Sequence, residues 1–560
     1  MKETYIELMD AVMNAYSIEH IRTYTSSVEQ NGIEEHGYPR LVANLGILIA
    51  HGKRREFKDY FKKMMDLCCI ELPVAKEKNG GRAGNDFTVK EVVFCLLELE
   101  KAEVFDKNIT DNWRFELEKI EPLKAYSVIA PVPVAPMGNW AAFAGVSEYV
   151  RNYAGMGSES AFIDNQIKSQ FHAFDENGMY RDPNEPMVYD MVTRLQLAIP
   201  LYFGYDGECR ERLEEELDKS ADITLKMQSV TGEIPFGGRS NQFLHNETFY
   251  AALCEFYASV FKRKGDIKRA GMFKRAAKIA TESIIPWLEE DKISHVKNYY
   301  DTDSMYGCEE YAYFDKYMVT AASWLYMAYA FADDSIEELP CPAESENFVC
   351  ETGNHFHKTF LKYGKYAVEI EKSADEEYDG SGIGRIHKKG APSAICLSTS
   401  FAKKPHYGID IENTSCFAIC AGIKTGNGFV YGYNNNVKYK TVEKKVTDEY
   451  VFVKYECTAE DGSAFYTGCK TSDKGVEISA EGKGELEILF PLFYFDGKDK
   501  TEITLTDKSA DVLYKGWKCK YTTHDIIKHR DEIYANRNGH YKSAAVCGKN
   551  KITLRIEICN

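Results

Sequence analysis

The stretch DSIEELPCPAESEN, residues 334–347, is polar, carries two prolines and separates two regimes of hydrophobic periodicity. Upstream, apolar residues recur at three-to-four spacing, as in VKEVVFCLLELEKAEVF (89–105), NETFYAALCEFYASVFKRK (246–264) and DKYMVTAASWLYMAYAFAD (315–333). Downstream the period becomes two, as in KYAVEIEKS (365–373), EYVFVKYECT (449–458) and KITLRIEI (551–558). The helical stretches alternate with Gly- and Pro-bearing loops: NGGRAGND (79–86), PVPVAPMGN (131–139), DENGMYRDPNEP (175–186) and TGEIPFGGRSN (231–241). Helical hairpins of roughly 50–60 residues fit about six times into this half. The pattern therefore predicts a helical (α/α)6-type toroid over residues 1–333, a linker over 334–347, and an antiparallel β-sandwich over 348–560.

Composition agrees with a large globular chain. The 560 residues weigh 63.7 kDa, beyond what one core organises. Hydrophobic content of 44% with 28% charged residues excludes a disordered or coiled-coil chain. A net charge of −17 repels phosphate backbones and anionic lipid, so neither nucleic acid nor a membrane is an expected partner. A local cluster of Arg, His and Asn can still hold an acidic ligand, because distant charges are screened within roughly 8 Å at physiological salt. The N-terminal MKETYIELMDAVMNAYS carries acids where a signal peptide carries a basic start, and the 16 cysteines show no CxxC spacing. Both predict a cytoplasmic protein with reduced thiols. No phosphate loop, dinucleotide fingerprint, HExxH or GxSxG occurs in a supporting context, and no cofactor or metal is expected.

Four segments could carry chemistry. Asn139 and Trp140 open a helix after a Pro-rich loop; the amide is either an N-cap or a ligand for a substrate carboxylate or hydroxyl. Tyr189 starts another helix, on which Asp190 and Arg194 stand four apart and can pair. Either the pair is a surface ion pair, or Tyr189 is a proton donor or base assisted by both neighbours. The densest polar run is Arg239, Asn241, His245, Asn246 and Glu247, where a two-glycine loop meets an apolar helix; His245 is the strongest general-base candidate. The segment 298–317 combines Tyr299 and Tyr306, flat rings suited to sugars, with Glu309 and Glu310. Arg82, His36 and His387 are further binding candidates.

A helical toroid before a β-sandwich, with NW opening one helix and DENGMY…PMVY about fifty residues later, resembles the heparinase II/III-like and alginate-lyase-like polysaccharide lyases. The GRS element, Gly238 to Ser240, also looks like one in a toroid-plus-sandwich family that includes exo-β-glucuronidases. The first resemblance implies β-elimination beside a uronic acid, with Asn139 neutralising the carboxylate and Tyr189 shuttling the proton. A histidine completes the set: His245, His355 or His387. In this chain Asp190 follows Tyr189 where the lyases often carry His.

Elimination needs a neutralised carboxylate, a base and an acid, for which Asn139, Arg239, His245 and Tyr189 are the candidates. Hydrolysis needs two carboxyl groups flanking the bond, for which Glu247, Asp190, Glu309 and Glu310 are available. The expectation is an exo-acting enzyme on uronic-acid oligosaccharides, by elimination or alternatively by hydrolysis. A non-catalytic glycan-binding protein is the third reading. The oligomeric state is left open.

Overall fold

A computed structural model describes residues 1–157, 159–290, 292–402, 411, 415–433 and 437–560. Six inner helices form a closed ring: α1 (Gly37–Ala50), α2 (Asn85–Lys101), α3 (Asn139–Tyr153), α4 (Met187–Tyr202), α5 (His245–Arg263) and α6 (Phe314–Phe331). Each packs against the next, and α6 packs back on α1. Six outer helices, Lys2–Met13, Lys58–Glu71, Lys107–Glu118, Ser160–Lys168, Arg210–Lys219 and Ile267–Leu288, lie against α6, α1, α2, α3, α4 and α5 in that order.

The two circles follow from residue pattern. The outer helix Lys2–Met13 buries one stripe, Tyr5, Ile6, Met9, Val12 and Met13, and leaves its other face polar. Inner α1 is buried continuously from Gly37 to Ile49, because it has neighbours on every side. Close approach of inner helices needs small residues. A Cβ at Gly46 would come within 2.3 Å of Cys95 Sγ on α2.

Downstream, β1 (Phe348–Glu351), β2 (Lys358–Tyr363), β3 (Tyr366–Glu371) and β4 (Gly382–Lys388) form a four-stranded sheet in that order. It faces an 11-stranded sheet built around the two long strands Gly475–Phe495 and Gly539–Cys559. Strand pairing is antiparallel throughout the described residues. Leu361, Val368, Ile370 and Ile386 of the small sheet share one core with Val453, Ile478 and Ile488 of the large one. This is the helical part followed by an antiparallel β-sandwich that the change of period predicts. Helix α6 ends at Phe331 and β1 begins at Phe348. No helix among the described residues is long and apolar enough to cross a membrane.

Candidate active site

All six inner helices begin at the same end of the ring, and their first turns surround a cavity of about 400 Å³. His36 and Arg40 come from the start of α1, Phe87 from α2, Asn139, Trp140 and Phe143 from α3. Tyr189 comes from α4, His245 and Phe249 from α5, and Lys316, Tyr317 and Trp324 from α6. The positive ends of six helix dipoles thus converge on one volume. Cations stand in the walls as well: Arg40, Arg82, Arg239 and Lys316, against one carboxylate, Asp182. Three of the four are already engaged. Arg40 Nε lies 3.2 Å from Glu91, Lys316 Nζ lies 2.8 Å from Glu35, and Arg239 pairs with Asp182. Arg82, exposed at the rim, has no ion-pair partner among the described residues.

The glycine pair makes the loop before α5 possible. Gly238 sits at φ 73°, and a Cβ there would meet Pro186 at 2.5 Å, so the loop lies tight against the start of α4. That contact lays the Arg239 guanidinium over the Tyr189 ring, 4.4 Å from its centroid. Arg239 Nη1 also donates to Pro183 O at 2.7 Å. The Tyr189 hydroxyl lies 3.2 Å from Ser240 Oγ, which lies 3.0 Å from the Tyr311 hydroxyl. Tyr311 lines the same cavity, so this chain of three hydroxyls runs along its wall.

His245 is held between aromatic rings, with Phe243 at 5.5 Å, Tyr317 at 5.1 Å and Phe249 at 6.1 Å between centroids. Burial, reinforced by the charge of Arg40, drives its pKa well below the ordinary histidine value. It is neutral near pH 7, and its Nδ1 has no hydrogen-bond partner among the described residues. His36 is likewise held neutral by burial and by Arg40 beside it.

No protein-family model matches this chain, and no curated protein does. Solved structures of similar layout do. The chondroitin lyase ODV-E66, a baculovirus envelope protein, aligns with 96% of this chain and 84% of its own at 10% identity and a TM-score of 0.45. The heparan sulfate lyase HepC from Pedobacter heparinus aligns with 90% of this chain and 76% of its own at 10% identity and TM-score 0.36. The GH127 β-L-arabinofuranosidase Ara127N-Se from Geobacillus stearothermophilus T6 aligns with 99% and 98% at 10% identity and TM-score 0.36.

Of the residues expected from sequence, Asn139, Trp140, Tyr189, Arg239, His245, Arg82 and His36 line this cavity. Others do not. Asp190 and Arg194 form the expected pair, at 2.6 and 2.8 Å, but both are fully buried and neither lines the cavity, so the pair is neither on the surface nor in the site. Arg194 continues to Thr224 and Tyr257, and Asp190 caps the Tyr180 amide at 2.7 Å. A helix advances about 100° per residue, so the residues after His245 face elsewhere. Asn246 turns back to Ser240 O at 3.2 Å, and Glu247 is buried against Lys297 at 2.8 Å. Asn241 bonds Thr399 of the β region.

In the 298–317 segment neither glutamate lines the cavity. Glu310 is exposed, while Glu309 is buried behind Ser240, accepting from its amide at 2.7 Å and pairing with Arg537 at 2.9 Å. Tyr306 stacks on Tyr300 with centroids 3.5 Å apart, and Tyr299 lines a different cavity. His387 does reach the helical half, bonding Ser229 at 2.8 Å and Thr231 at 3.0 Å, yet it is buried away from the cavity. His355 pairs with Glu185 at 3.1 Å, also outside the cavity walls.

Sequence reading missed Arg40, Asp182, Lys316, Tyr317 and Trp324. Arg40 sits in the apolar run GYPRLVANLGILIA and looks like an interruption of core. For Arg40, Asp182, Lys316 and Tyr317 the available signal was positional: each is in the first turn of an inner helix or in the loop that abuts one, whereas Trp324 lies in the third turn of α6 and had no such signal.

Proposed function

We propose that this protein is a carbohydrate-active enzyme that cleaves short uronic-acid oligosaccharides by β-elimination. One observation carries the reading. Asn139, Tyr189, Arg239 and His245 meet in one cavity whose only wall carboxylate among the described residues, Asp182, is already paired with Arg239. A hydrolase needs two carboxyl groups astride the bond, and Glu247 and Asp190 are committed to buried cations elsewhere. The remaining groups suit elimination.

In this reading Asn139, Arg239 and the helix N-termini hold the uronate carboxylate and stabilise the charge that spreads onto it when the C5 proton leaves. His245, neutral and in the cavity wall, accepts that proton. The C4–oxygen bond then breaks, a C4–C5 double bond forms, and the Tyr189 hydroxyl protonates the departing oxygen. Water entering the cavity after the product leaves returns a proton to Tyr189 and takes the one held by His245. Trp140 offers an apolar face to the sugar ring. A cavity of about 400 Å³, within the ordinary small-molecule range of roughly 300–1,000 Å³, suits the end of a short chain and hence exo action.

The test is incubation with unsaturation-free uronate oligosaccharides under ultraviolet detection. Elimination produces a conjugated double bond that absorbs. New reducing ends without that absorbance would establish hydrolysis and refute the proposal.

A further inference from the structure

Arg40, in the first turn of α1, is not used up by its protein neighbours. Its Nε lies 3.2 Å from both oxygens of Glu91, and its Nη1 donates to Thr320 Oγ1 at 2.6 Å and to His36 Nδ1 at 3.3 Å. A guanidinium has donors only, so His36 Nδ1 accepts and the histidine proton sits on Nε2. The remaining nitrogen, Arg40 Nη2, makes no hydrogen bond among the described residues, yet it is not one of the unpartnered atoms sealed inside the protein. Arg40 is only 4% exposed and lines the cavity of the candidate active site, so that nitrogen opens into the cavity.

The charge around Arg40 is also unbalanced. Arg239 and Lys316, in the same cavity wall, each have a carboxylate of their own, Asp182 and Glu35. Arg40 instead shares Glu91 with Lys90, whose Nζ lies 3.7 Å from it. Lys90 is fully buried directly behind the wall: its Nζ donates to Phe87 O and lies 5.1 Å from the Phe143 ring centroid and 5.9 Å from that of Trp324, and all three residues line the cavity. Burial lowers the Lys90 pKa to about 8, so the group is still charged near pH 7. The other acid facing Lys90, Asp86, gives its oxygens to the Ser127 and Val128 amides and forms no ion pair among the described residues. Two buried cations against one carboxylate leave a positive charge that a buried anion would compensate. Helices α1 and α4 are three steps apart in the circle of six, so Arg40 stands across the ring from the Arg239–Tyr189 stack.

We infer that Arg40 is a specificity-determining residue of the candidate active site, its Nη2 taking a carboxylate oxygen of an acidic sugar from the side of the ring opposite Arg239. The inference rests on the acidic-sugar reading above, and its test reads binding rather than turnover. Isothermal titration of the full chain is made with D-glucuronate and D-galacturonate, and with D-glucose and D-galactose as their neutral counterparts, on the wild type, Arg40→Met and Arg40→Lys. Circular dichroism accompanies each variant; Arg40→Lys keeps a cation beside Glu91 and reports if Arg40→Met misfolds. At least one uronate should bind the wild type, with its neutral counterpart at least about 10-fold weaker. Arg40→Met should weaken the uronate by about 10–100-fold, and Arg40→Lys, which loses the fork and keeps the charge, should fall between the two. A uronate that binds the wild type and both folded variants within about twofold overturns the role of Arg40 and leaves the acidic-sugar reading standing. If neither uronate binds the wild type at up to about 20 mM, or the neutral sugars bind it as tightly, the acidic-sugar reading falls and this inference with it.

Discussion

Arg537→Leu tests how the β-sandwich supports the candidate site. Arg537 Nη1 lies 2.9 Å from Glu309 Oε2, and the two side chains are 6% and 1% exposed. The other Glu309 oxygen accepts the Ser240 amide at 2.7 Å, and Ser240 in turn contacts Tyr189. Removing the guanidinium leaves a carboxylate buried with one amide for compensation, a defect that costs about 3–5 kcal/mol. At roughly 2–4 °C per kcal/mol for a unit of 150–250 residues, the first thermal transition should fall by about 10 °C. Scanning calorimetry of the single variant, of Glu309→Leu and of the double variant gives the cycle. The double variant should recover most of the loss, because it buries no unpaired charge. An Arg537→Leu protein melting within about 2 °C of wild type would show that the pair contributes nothing beyond a surface contact, and the account of the anchored loop would fall with it.

Tyr189→Phe should lower turnover by about 10²–10⁴-fold without changing the melting temperature, since the variant removes one hydroxyl from a half-buried side chain in the cavity wall; retained turnover in the ultraviolet assay would remove Tyr189 as the acid. Asp190→Asn should instead unfold the protein more readily, by about 3–5 kcal/mol in denaturant titration, because it strands the buried Arg194. An Asp190→Asn enzyme that is fully stable but inactive would return that residue to the chemistry. Burial raises the Asp379 pKa from 3.8 to about 6, against the pull of Lys358 and the Gly238 amide, which donates to it at 2.6 Å. The folded state then binds this proton more tightly than the unfolded one. Its stabilising contribution is complete below about pH 4 and is lost as pH rises through about 6, a change of about 3 kcal/mol at most. The stability difference between wild type and Asp379→Asn should therefore favour wild type more at pH 4 than at pH 7, and a pH-independent difference would contradict the raised value.

Local pattern carried the fold class and the positions where helices open. The change of period across residues 334–347 separates helical from β structure because side-chain alternation is a property of neighbouring residues. Asn139, Tyr189, Arg239 and His245 were legible for a related reason. Each lies where a Gly- or Pro-bearing loop becomes an inner helix, and such junctions are written in a few consecutive residues. Which side of a helix a polar residue occupies was not written there. Asp190 and Arg194 gave a correct pair in the wrong place, because i,i+4 spacing sets proximity and says nothing about depth. Glu247 sits two positions after His245 and is turned away from it by the helix itself. Only closure of the ring decides that six helix starts share one cavity, and only the docked sandwich brings Arg537 to Glu309, 228 residues apart in sequence. Contacts at that separation depend on the packing of whole elements, which no local run of residues encodes.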